Sequence, residues 1–388
     1  MPAHPFDTLD EATLRARQSA KWTLYAPSVL PAWVAEMDYP LAEPLRRALH
    51  AAIDADDTGY ASATDLGQVF AVWAHDRWGW RVPASGVHLV CDVVTAIGEI
   101  LEVATAPGDG VVIEPPVYPP FAGTIRRIGR TVVRAPLLRG EQGWAPDLVA
   151  IERAYASGAR AHLLCSPQNP TGLVYPRAAL ERIAELAHQH GVLVVADEIH
   201  APLTLPGVTH IPFPAVSEAA RRRSIVVTSA SKTWNIPGLK AAVMVASEVD
   251  DDAPDAPRTI LARVPPDTPF HAGHLGVLAS KVAFREGQEW LGQTLAILDR
   301  NRRLLADLLA AELPAVGYVA PQASYLAWLD CRGLGLGPDP AAAFLAKGAV
   351  ALSSGPTFGA EGEGFARLNI ATTRTLLEEA VRRMGRAL

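Results

Sequence analysis

Five apolar segments recur between residues 109 and 247, and each is continuous rather than alternating in polarity. They are DGVVIEPP (109–116), AHLLCSP (161–167), GVLVVADEI (191–199), SIVVTSA (224–230) and AAVMVAS (241–247). A strand with one face in water alternates apolar and polar residues, so continuous runs indicate strands that are covered on both faces. Between two of them, residues 176–191 begin with proline, carry apolar side chains at helical spacing and end in glycine, which predicts a helix.

Repetition of strand, helix and strand predicts the fold class. It indicates an α/β domain with a mostly parallel central sheet and helices on both faces, in which ligands bind at the carboxyl ends of the strands. Helix formers dominate from Leu275 to about Leu313, and a mixed segment follows, which indicates a smaller α+β domain. We therefore expect an N-terminal segment (1–45) that contributes to the small domain and a dimer interface, a large domain (46–275) and a C-terminal small domain (276–388).

Composition narrows the class of protein. The 388 residues are 49% hydrophobic and 20% charged, as in ordinary globular proteins, and the net charge of -6 argues against nucleic acid as the main partner. The first residues mix charges and lack the apolar core of a signal peptide, and no run is long enough for a membrane span, so we expect a cytoplasmic protein. The three cysteines are far apart and lack CxxC spacing, which indicates neither a disulfide framework nor a metal site.

Polar side chains follow three of the predicted strands. Asp197 ends one strand, Ser229, Ser231 and Lys232 follow another, and Asn169 lies in the turn-rich SPQNPTG after a third. Because the carboxyl ends of parallel strands meet at one edge of a sheet, we expect an acid, an amine and an amide to converge there.

This combination predicts pyridoxal phosphate as the cofactor. Burial beside apolar strands lowers the pKa of a lysine and makes the neutral, nucleophilic amine accessible, as a Schiff-base lysine requires. Lys232 is the candidate. A carboxylate that pairs with the pyridinium nitrogen keeps the ring protonated as an electron sink, and Asp197 is suited to that role.

The phosphate of the cofactor also needs partners. Ser229 lies three residues before Lys232 and offers a hydroxyl, and Lys240 lies eight residues after it and offers a cation. Val94 and Thr95 open a predicted helix, whose free amide hydrogens favour a bound anion.

Several motifs together resemble a known family. SASKTWNIPGLK, SPQNPTG, ADEIH and FARLNIA are similar in order and spacing to the fold-type I, class I/II aminotransferase superfamily of pyridoxal-phosphate enzymes. More narrowly, KWTLYAPSVLPAWVAEMDYPLAEP, DDTGY, PPVYPPF, DEIH and EGQEWL resemble its cystathionine β-lyase, or C-S lyase, branch. The resemblance spans nearly the whole chain.

The resemblance implies roles for individual residues. Lys232 would form the Schiff base and then exchange the proton at the substrate α-carbon, Asp197 would pair with the pyridine nitrogen, and Asn169 would donate to the ring hydroxyl. Tyr118 would stack on the ring, and Ser231 would belong to the cofactor site. Lys232, Tyr118 and Asp197 would form the catalytic set.

The remaining roles concern the substrate and a second subunit. Arg367 matches the carboxylate clamp of the family, with Asn169 and the backbone of Ala35 on the substrate side. Tyr60 would reach the phosphate in the neighbouring subunit, which implies a homodimer with shared sites. His200 stands where many aminotransferases have a tyrosine, a replacement typical of the C-S lyase branch.

Structural interpretations remain open for some of these residues. Asp197 could cap a helix, Arg367 could form a structural ion pair, and Tyr118 and Tyr60 could be ordinary packing aromatics. His271 and His274, three residues apart, have no further ligand evident nearby, so we predict no metal.

The resemblance implies β-elimination from L-cystathionine or another S-substituted cysteine, with release of a thiol, pyruvate and ammonia. Transamination starts from the same proton removal and shares every residue named so far. Processing of an S-conjugated cysteine in a specialised pathway would also fit. A non-catalytic regulator with this fold is the alternative outside enzymes, although the intact lysine, aspartate, asparagine and arginine argue against it.

Overall fold

A computed structural model of the chain describes residues 5–141, 143–247 and 253–388. The acidic, proline-rich composition of residues 247–257 predicts a solvated loop, and part of this stretch lies outside the described residues. The strands are β1 Leu30–Pro31, β2 Val87–Val90, β3 Gly110–Ile113, β4 Thr131–Arg134, β5 Leu138–Gly140, β6 Gly143–Ala145, β7 Ala161–Cys165, β8 Leu193–Asp197, β9 Ser224–Thr228, β10 Ala242–Ala246, β11 Gly317–Tyr318, β12 Leu326–Asp330, β13 Val350–Ala351, β14 Ser353–Ser354 and β15 Phe365–Asn369. The α-helices are α1 Glu11–Arg15, α2 Ala20–Thr23, α3 Glu43–Asp54, α4 Leu66–Trp78, α5 Val93–Ala104, α6 Pro120–Arg127, α7 Leu148–Ala156, α8 Arg177–His190, α9 Glu218–Arg222, α10 Ala230–Thr233, α11 Pro257–Leu261, α12 His274–Glu286, α13 Gln288–Glu312, α14 Pro340–Gly348 and α15 Arg374–Gly385.

A seven-stranded sheet forms the centre of the fold, in the order β2-β10-β9-β8-β7-β3-β4. Neighbours from β9 to β4 pair in parallel, whereas β10 is antiparallel to both β9 and β2. The five predicted strands are β3, β7, β8, β9 and β10, so the α/β class with a mostly parallel sheet is confirmed. The sequence prediction missed β2 and β4, which are short and half-exposed at several positions.

Apolar side chains cover the sheet on both faces. Along β8, Val194 and Ala196 belong to one buried cluster, and Leu193 and Val195 belong to another on the opposite face. Helices α7, α8 and α9 contribute to the first cluster, and α5, α6 and α11 contribute to the second. Because both faces are covered, polar groups on these strands concentrate at their ends, where the site lies.

The long helical stretch after residue 274 consists of two helices, α12 and α13, that meet at Gly287. The indole nitrogen of Trp234 donates a hydrogen bond to the Gly287 carbonyl at 2.9 Å. A Cβ at Gly287 would overlap that nitrogen. Only glycine therefore allows this close approach of the helix junction to the buried tryptophan.

A four-stranded sheet in the order β11-β12-β15-β14 lies near the C-terminus, and the N-terminal segment packs against this region. Strand β1 pairs in parallel with β13. The Asn369 side chain on β15 donates to the carbonyls of Val34 and Glu36, both at 2.7 Å. Residues 34–36 are thus fixed by a strand more than 300 positions later in the chain. The domain boundaries at residues 45 and 275 stay a prediction.

Candidate active site

A cavity of about 400 Å³ opens at the carboxyl edge of the parallel strands. Its lining includes most of the predicted site residues: Ala35, Val94, Tyr118, Asn169, Asp197, His200, Ser231, Lys232, Lys240 and Arg367. Thr95, Ser229 and Tyr60 do not line it. The structure therefore brings together residues from seven separate regions of the chain, three of which were predicted from their positions at strand ends.

Lys232 lies in the short helix α10, directly after β9. Its Nζ donates a hydrogen bond to the carbonyl oxygen of Ala35 at 3.0 Å. Burial, reinforced by the positive charge of Arg367, lowers the pKa of Lys232 to about 8. A larger share of the amine is therefore neutral than for a lysine in water, which is the activation that a Schiff-base lysine needs.

Asp197 ends β8 and is buried. Its Oδ1 accepts a hydrogen bond from the amide of Ile199 at 3.1 Å. Burial raises the pKa of Asp197 to about 7, because a carboxylate loses its hydration there. A cationic ring nitrogen beside this group would restore the charged form, so the residue fits the pyridinium partner of the cofactor.

Arg367 and Asn169 are in direct contact at the cavity wall. The guanidinium donates from Nη1 to Asn169 Oδ1 and from Nη2 to the Trp33 carbonyl and Ser353 Oγ, each at 3.0 Å. Its Nε is buried without a partner, and no acidic side chain among the described residues pairs with it. The structural ion pair considered from the sequence is thus not found in the described part of the chain. A buried guanidinium without a carboxylate partner is suited to an anionic ligand.

His200 and Tyr118 complete the walls around the lysine. His200 Nδ1 lies 3.0 Å from Ser324 Oγ, and burial together with the charges of Lys232 and Arg367 lowers the histidine pKa to about 3. The imidazole is therefore neutral and acts through hydrogen bonds rather than charge. Tyr118 is edge-on to Phe121 at 5.8 Å between ring centroids, and its own ring lines the cavity, where it fits the predicted stacking role.

The predicted phosphate end of the cavity contains a carboxylate that the sequence prediction did not include. Asp92 precedes α5, and its Oδ1 accepts a hydrogen bond from the Thr95 amide at 2.8 Å. Its Oδ2 accepts from Lys240 Nζ at 3.0 Å. The amide of Val94 belongs to the first helical turn, where N–H groups have no partner within the helix.

Ser229 and Ser231 differ in what they offer to a ligand. The Ser229 hydroxyl donates to the Ala241 carbonyl at 2.6 Å and accepts from the Ser231 amide at 3.0 Å. Its proton is therefore engaged within the protein. Ser231 lines the cavity, whereas Ser229 caps α10 and fixes the turn that carries Lys232.

Tyr60 lies outside the cavity of its own chain. Its side chain is 84% exposed and is edge-on to Phe270, which is 61% exposed. A role for Tyr60 at a cofactor phosphate therefore requires a second copy of the chain.

Tyr325 lies at the site but was not among the residues predicted from the sequence. Its hydroxyl donates to the Ala35 carbonyl at 3.1 Å, so this carbonyl accepts from both Tyr325 and Lys232. The ring is also edge-on to His200 at 5.9 Å. No local signal in SYLAWLD distinguishes this tyrosine from a packing aromatic.

Two further features of the described residues concern membranes and metal ions. Among the described helices, none is long and apolar enough to cross a membrane. Within residues 5–141, 143–247 and 253–388, no group of three or more histidine, cysteine or acidic side chains could hold a metal ion.

The sheet order, the partly buried lysine after β9 and the buried acid at the end of β8 define a pyridoxal-phosphate-dependent enzyme of fold type I. Residues 82–384 match the family described as aminotransferase class I and II. The chain belongs to this family, in the branch of the cystathionine β-lyases. The predictions of the family, the fold type and the cofactor are confirmed.

Full-length relatives support the branch. Cystathionine β-lyase of Corynebacterium glutamicum is 34% identical over 99% of this chain and 100% of its own length. A protein of Mycobacterium leprae with the provisional name cystathionine β-lyase is 41% identical over 100% of this chain and 99% of its own length. The structure of cystalysin from Treponema denticola, which contains pyridoxal 5'-phosphate, superposes with a TM-score of 0.90 at 26% identity and covers 98% of this chain and 97% of that protein.

Proposed function

We propose that the protein is a C-S β-lyase that cleaves L-cystathionine or another S-substituted cysteine to a thiol, pyruvate and ammonia. The observation that carries the proposal is the convergence of an activated lysine, a buried aspartate and an arginine without an acidic partner in one cavity. The full-length similarity to a cystathionine β-lyase supports elimination as the reaction.

The residues that line the cavity have separate roles in the reaction. When bound, pyridoxal phosphate supplies an electron sink for the negative charge that develops at the substrate α-carbon. Arg367 binds the substrate carboxylate, since a planar guanidinium donates two parallel hydrogen bonds to a carboxylate. Asp197 keeps the ring nitrogen protonated, and Asn169 and Tyr118 fix the ring.

Lys232 moves the proton at the α-carbon. A base must be neutral to accept a proton, and burial already lowers the pKa of this lysine to about 8. The Ala35 carbonyl orients the amine through its hydrogen bond at 3.0 Å. Loss of a thiolate from the β-carbon then breaks the C–S bond, with the α-proton held by Lys232. The released aminoacrylate reacts with water to give pyruvate and ammonia.

The test is the release of pyruvate and free thiol from L-cystathionine and a panel of S-substituted cysteines, with the cofactor present and no keto acid added. We expect sustained, equimolar release of both products. Transamination would instead stop after one equivalent of cofactor had reacted and resume on addition of a keto acid, and that outcome would overturn the proposal. Absence of any turnover and of cofactor binding would favour a regulator.

We further propose a homodimer in which Tyr60 reaches the cofactor phosphate of the partner. Tyr60 is 84% exposed and does not line the cavity of its own chain, and both observations support this role. Hybrid dimers of Lys232→Ala and Tyr60→Ala chains provide the test. If Tyr60 acts across the interface, one site of each hybrid has both residues intact and activity is restored. If Tyr60 acts within its own chain, no site has both.

We also propose that the protein acts in the cytoplasm. Cys91, Cys165 and Cys331 are free thiols, and unbridged cysteines are typical of a reducing compartment.

A further inference from the structure

Two carboxylates line the cavity, and only one of them has a role in the proposed mechanism. Asp197 lies where the ring nitrogen is expected. Asp92 lies at the other end, against Lys240 and the first turn of α5. These are the groups that are proposed to bind the cofactor phosphate, so an acid lies where an anion is expected.

The contacts of Asp92 are those that an external anion would make. One carboxylate oxygen accepts from the backbone amide of Thr95, and the other accepts from the ammonium of Lys240. Lys240 makes no other side-chain hydrogen bond or ion pair within the described residues. Lys240, the cation that the described residues place at this end of the cavity, is therefore already paired with a side chain of the protein.

We propose that Asp92 is an internal anion that competes with the cofactor phosphate for Lys240 and the α5 N-terminus, and that it thereby weakens cofactor binding. The inference rests on the proposed placement of the phosphate at Lys240. It does not depend on whether the reaction is elimination or transamination.

The competition acts in either of two arrangements. If Asp92 keeps its position, its charge lies near the phosphate and repels it. If Asp92 turns away, the protein gives up the contacts with Thr95 and Lys240 when the cofactor binds. Both arrangements oppose binding of the phosphate, and neither opposes binding of the pyridine ring.

Partial exposure limits the size of the effect. Asp92 is 35% exposed and Lys240 is 57% exposed at their side chains, so water and salt screen the charges. For one charge close to a phosphate in such surroundings, we expect removal of the charge to tighten cofactor binding by about fivefold or more.

Asp92→Asn isolates the charge from the shape of the side chain. Asparagine keeps an oxygen for the Thr95 amide and is as good a helix N-cap as aspartate, so α5 should remain capped. Asp92→Ser is a second neutral cap. Asp147→Asn is the matched control, because Asp147 caps α7 through the Ala150 amide at 2.9 Å and does not line the cavity.

The measurement is an equilibrium titration of the full-length apoenzyme with pyridoxal phosphate and, separately, with pyridoxal, which lacks the phosphate. Absorbance of the bound cofactor gives the dissociation constant without any turnover. We expect both Asp92 variants to bind pyridoxal phosphate about fivefold tighter or more, with pyridoxal binding unchanged and no change in Asp147→Asn. Unchanged or weaker binding of pyridoxal phosphate, or equal tightening for both ligands, would overturn the inference.

The variant Lys240→Met tests separately whether the cofactor phosphate lies at Lys240. If the phosphate lies at Lys240, this variant binds pyridoxal phosphate more weakly and pyridoxal as before. If Lys240→Met weakens binding while Asp92→Asn does not tighten it, the placement stands and the role of Asp92 is wrong. If Lys240→Met has no effect, the placement itself is wrong and the inference fails with it.

Discussion

The Nζ atom of Lys232 and the carbonyl oxygen of Ala35 lie 3.0 Å apart, although 197 positions separate the two residues in the chain. Lys232 comes from the strand end of the central sheet, and Ala35 comes from the N-terminal segment that packs on the C-terminal region. The hydrogen bond joins the amine proposed for catalysis to the backbone of this N-terminal segment.

Replacement of Lys232 by alanine should abolish turnover, because the variant has neither the amine that holds the cofactor nor the base for the α-proton. Pyruvate release from an S-substituted cysteine measures the activity, and retention of the cofactor by the denatured chain after borohydride reduction measures its covalent attachment to the lysine. Lys347→Ala, at an exposed position of α14, is the control and should keep both properties. Near-normal activity of Lys232→Ala would contradict the assignment.

Uptake of pyridoxal phosphate by the apoenzyme should become faster as the pH rises through about 8. The pKa of Lys232 is lowered to about 8 in the empty site, and only the neutral amine, which dominates above the pKa, attacks an aldehyde. Stopped-flow absorbance across this range measures the rate. A lysine with an ordinary pKa would give a rise centred roughly two pH units higher, near its value in water.

Arg367→Ala should raise KM for an amino-acid substrate by about a hundredfold, since it removes a buried, charge-assisted contact with the carboxylate. Arg374→Ala is the matched control. Arg374 is exposed and pairs with Glu378 within α15, so its loss should leave KM unchanged. Steady-state kinetics of both variants measure KM for the substrate. A similar KM for the two variants would show that Arg367 is not the carboxylate clamp.

Asp38→Ala should lower the free energy of unfolding by about 3–5 kcal/mol, because it leaves the ammonium of Lys21 buried without its partner. The two side chains are 2.7 Å apart and almost fully buried. Glu181→Ala breaks the exposed pair with Arg177 and should cost less than about 1 kcal/mol. Chemical denaturation of the three proteins measures the difference, and equal losses would contradict the prediction.

The strand-end residues could be predicted because their positions follow from local patterns. Asn169, Asp197 and Lys232 come directly after apolar runs, and parallel strands bring such positions to one edge. Arg367, Tyr118 and Ala35 came from family resemblance instead, since no spacing rule relates a C-terminal strand or an N-terminal segment to that edge.

The direction of β10 explains why Asp92 was not identified. A strand that is covered on both faces has the same apolar pattern in either direction, so the sequence did not indicate that β10 is antiparallel. In the structure, Val90 at the end of β2 pairs with Ala242 at the start of β10. This register brings Asp92, just after β2, to Lys240, just before β10, and the contact depends on a direction that the pattern does not encode.

Strand β15 connects the arginine proposed to bind the substrate carboxylate with the backbone segment that orients Lys232. Arg367 and Asn369 are two positions apart, and side chains at that spacing lie on the same face of a strand. Arg367 donates to the Trp33 carbonyl, and Asn369 donates to the carbonyls of Val34 and Glu36, so the strand holds the backbone on both sides of Ala35. The strand that presents Arg367 to a substrate carboxylate therefore also fixes the carbonyl that orients the Lys232 amine.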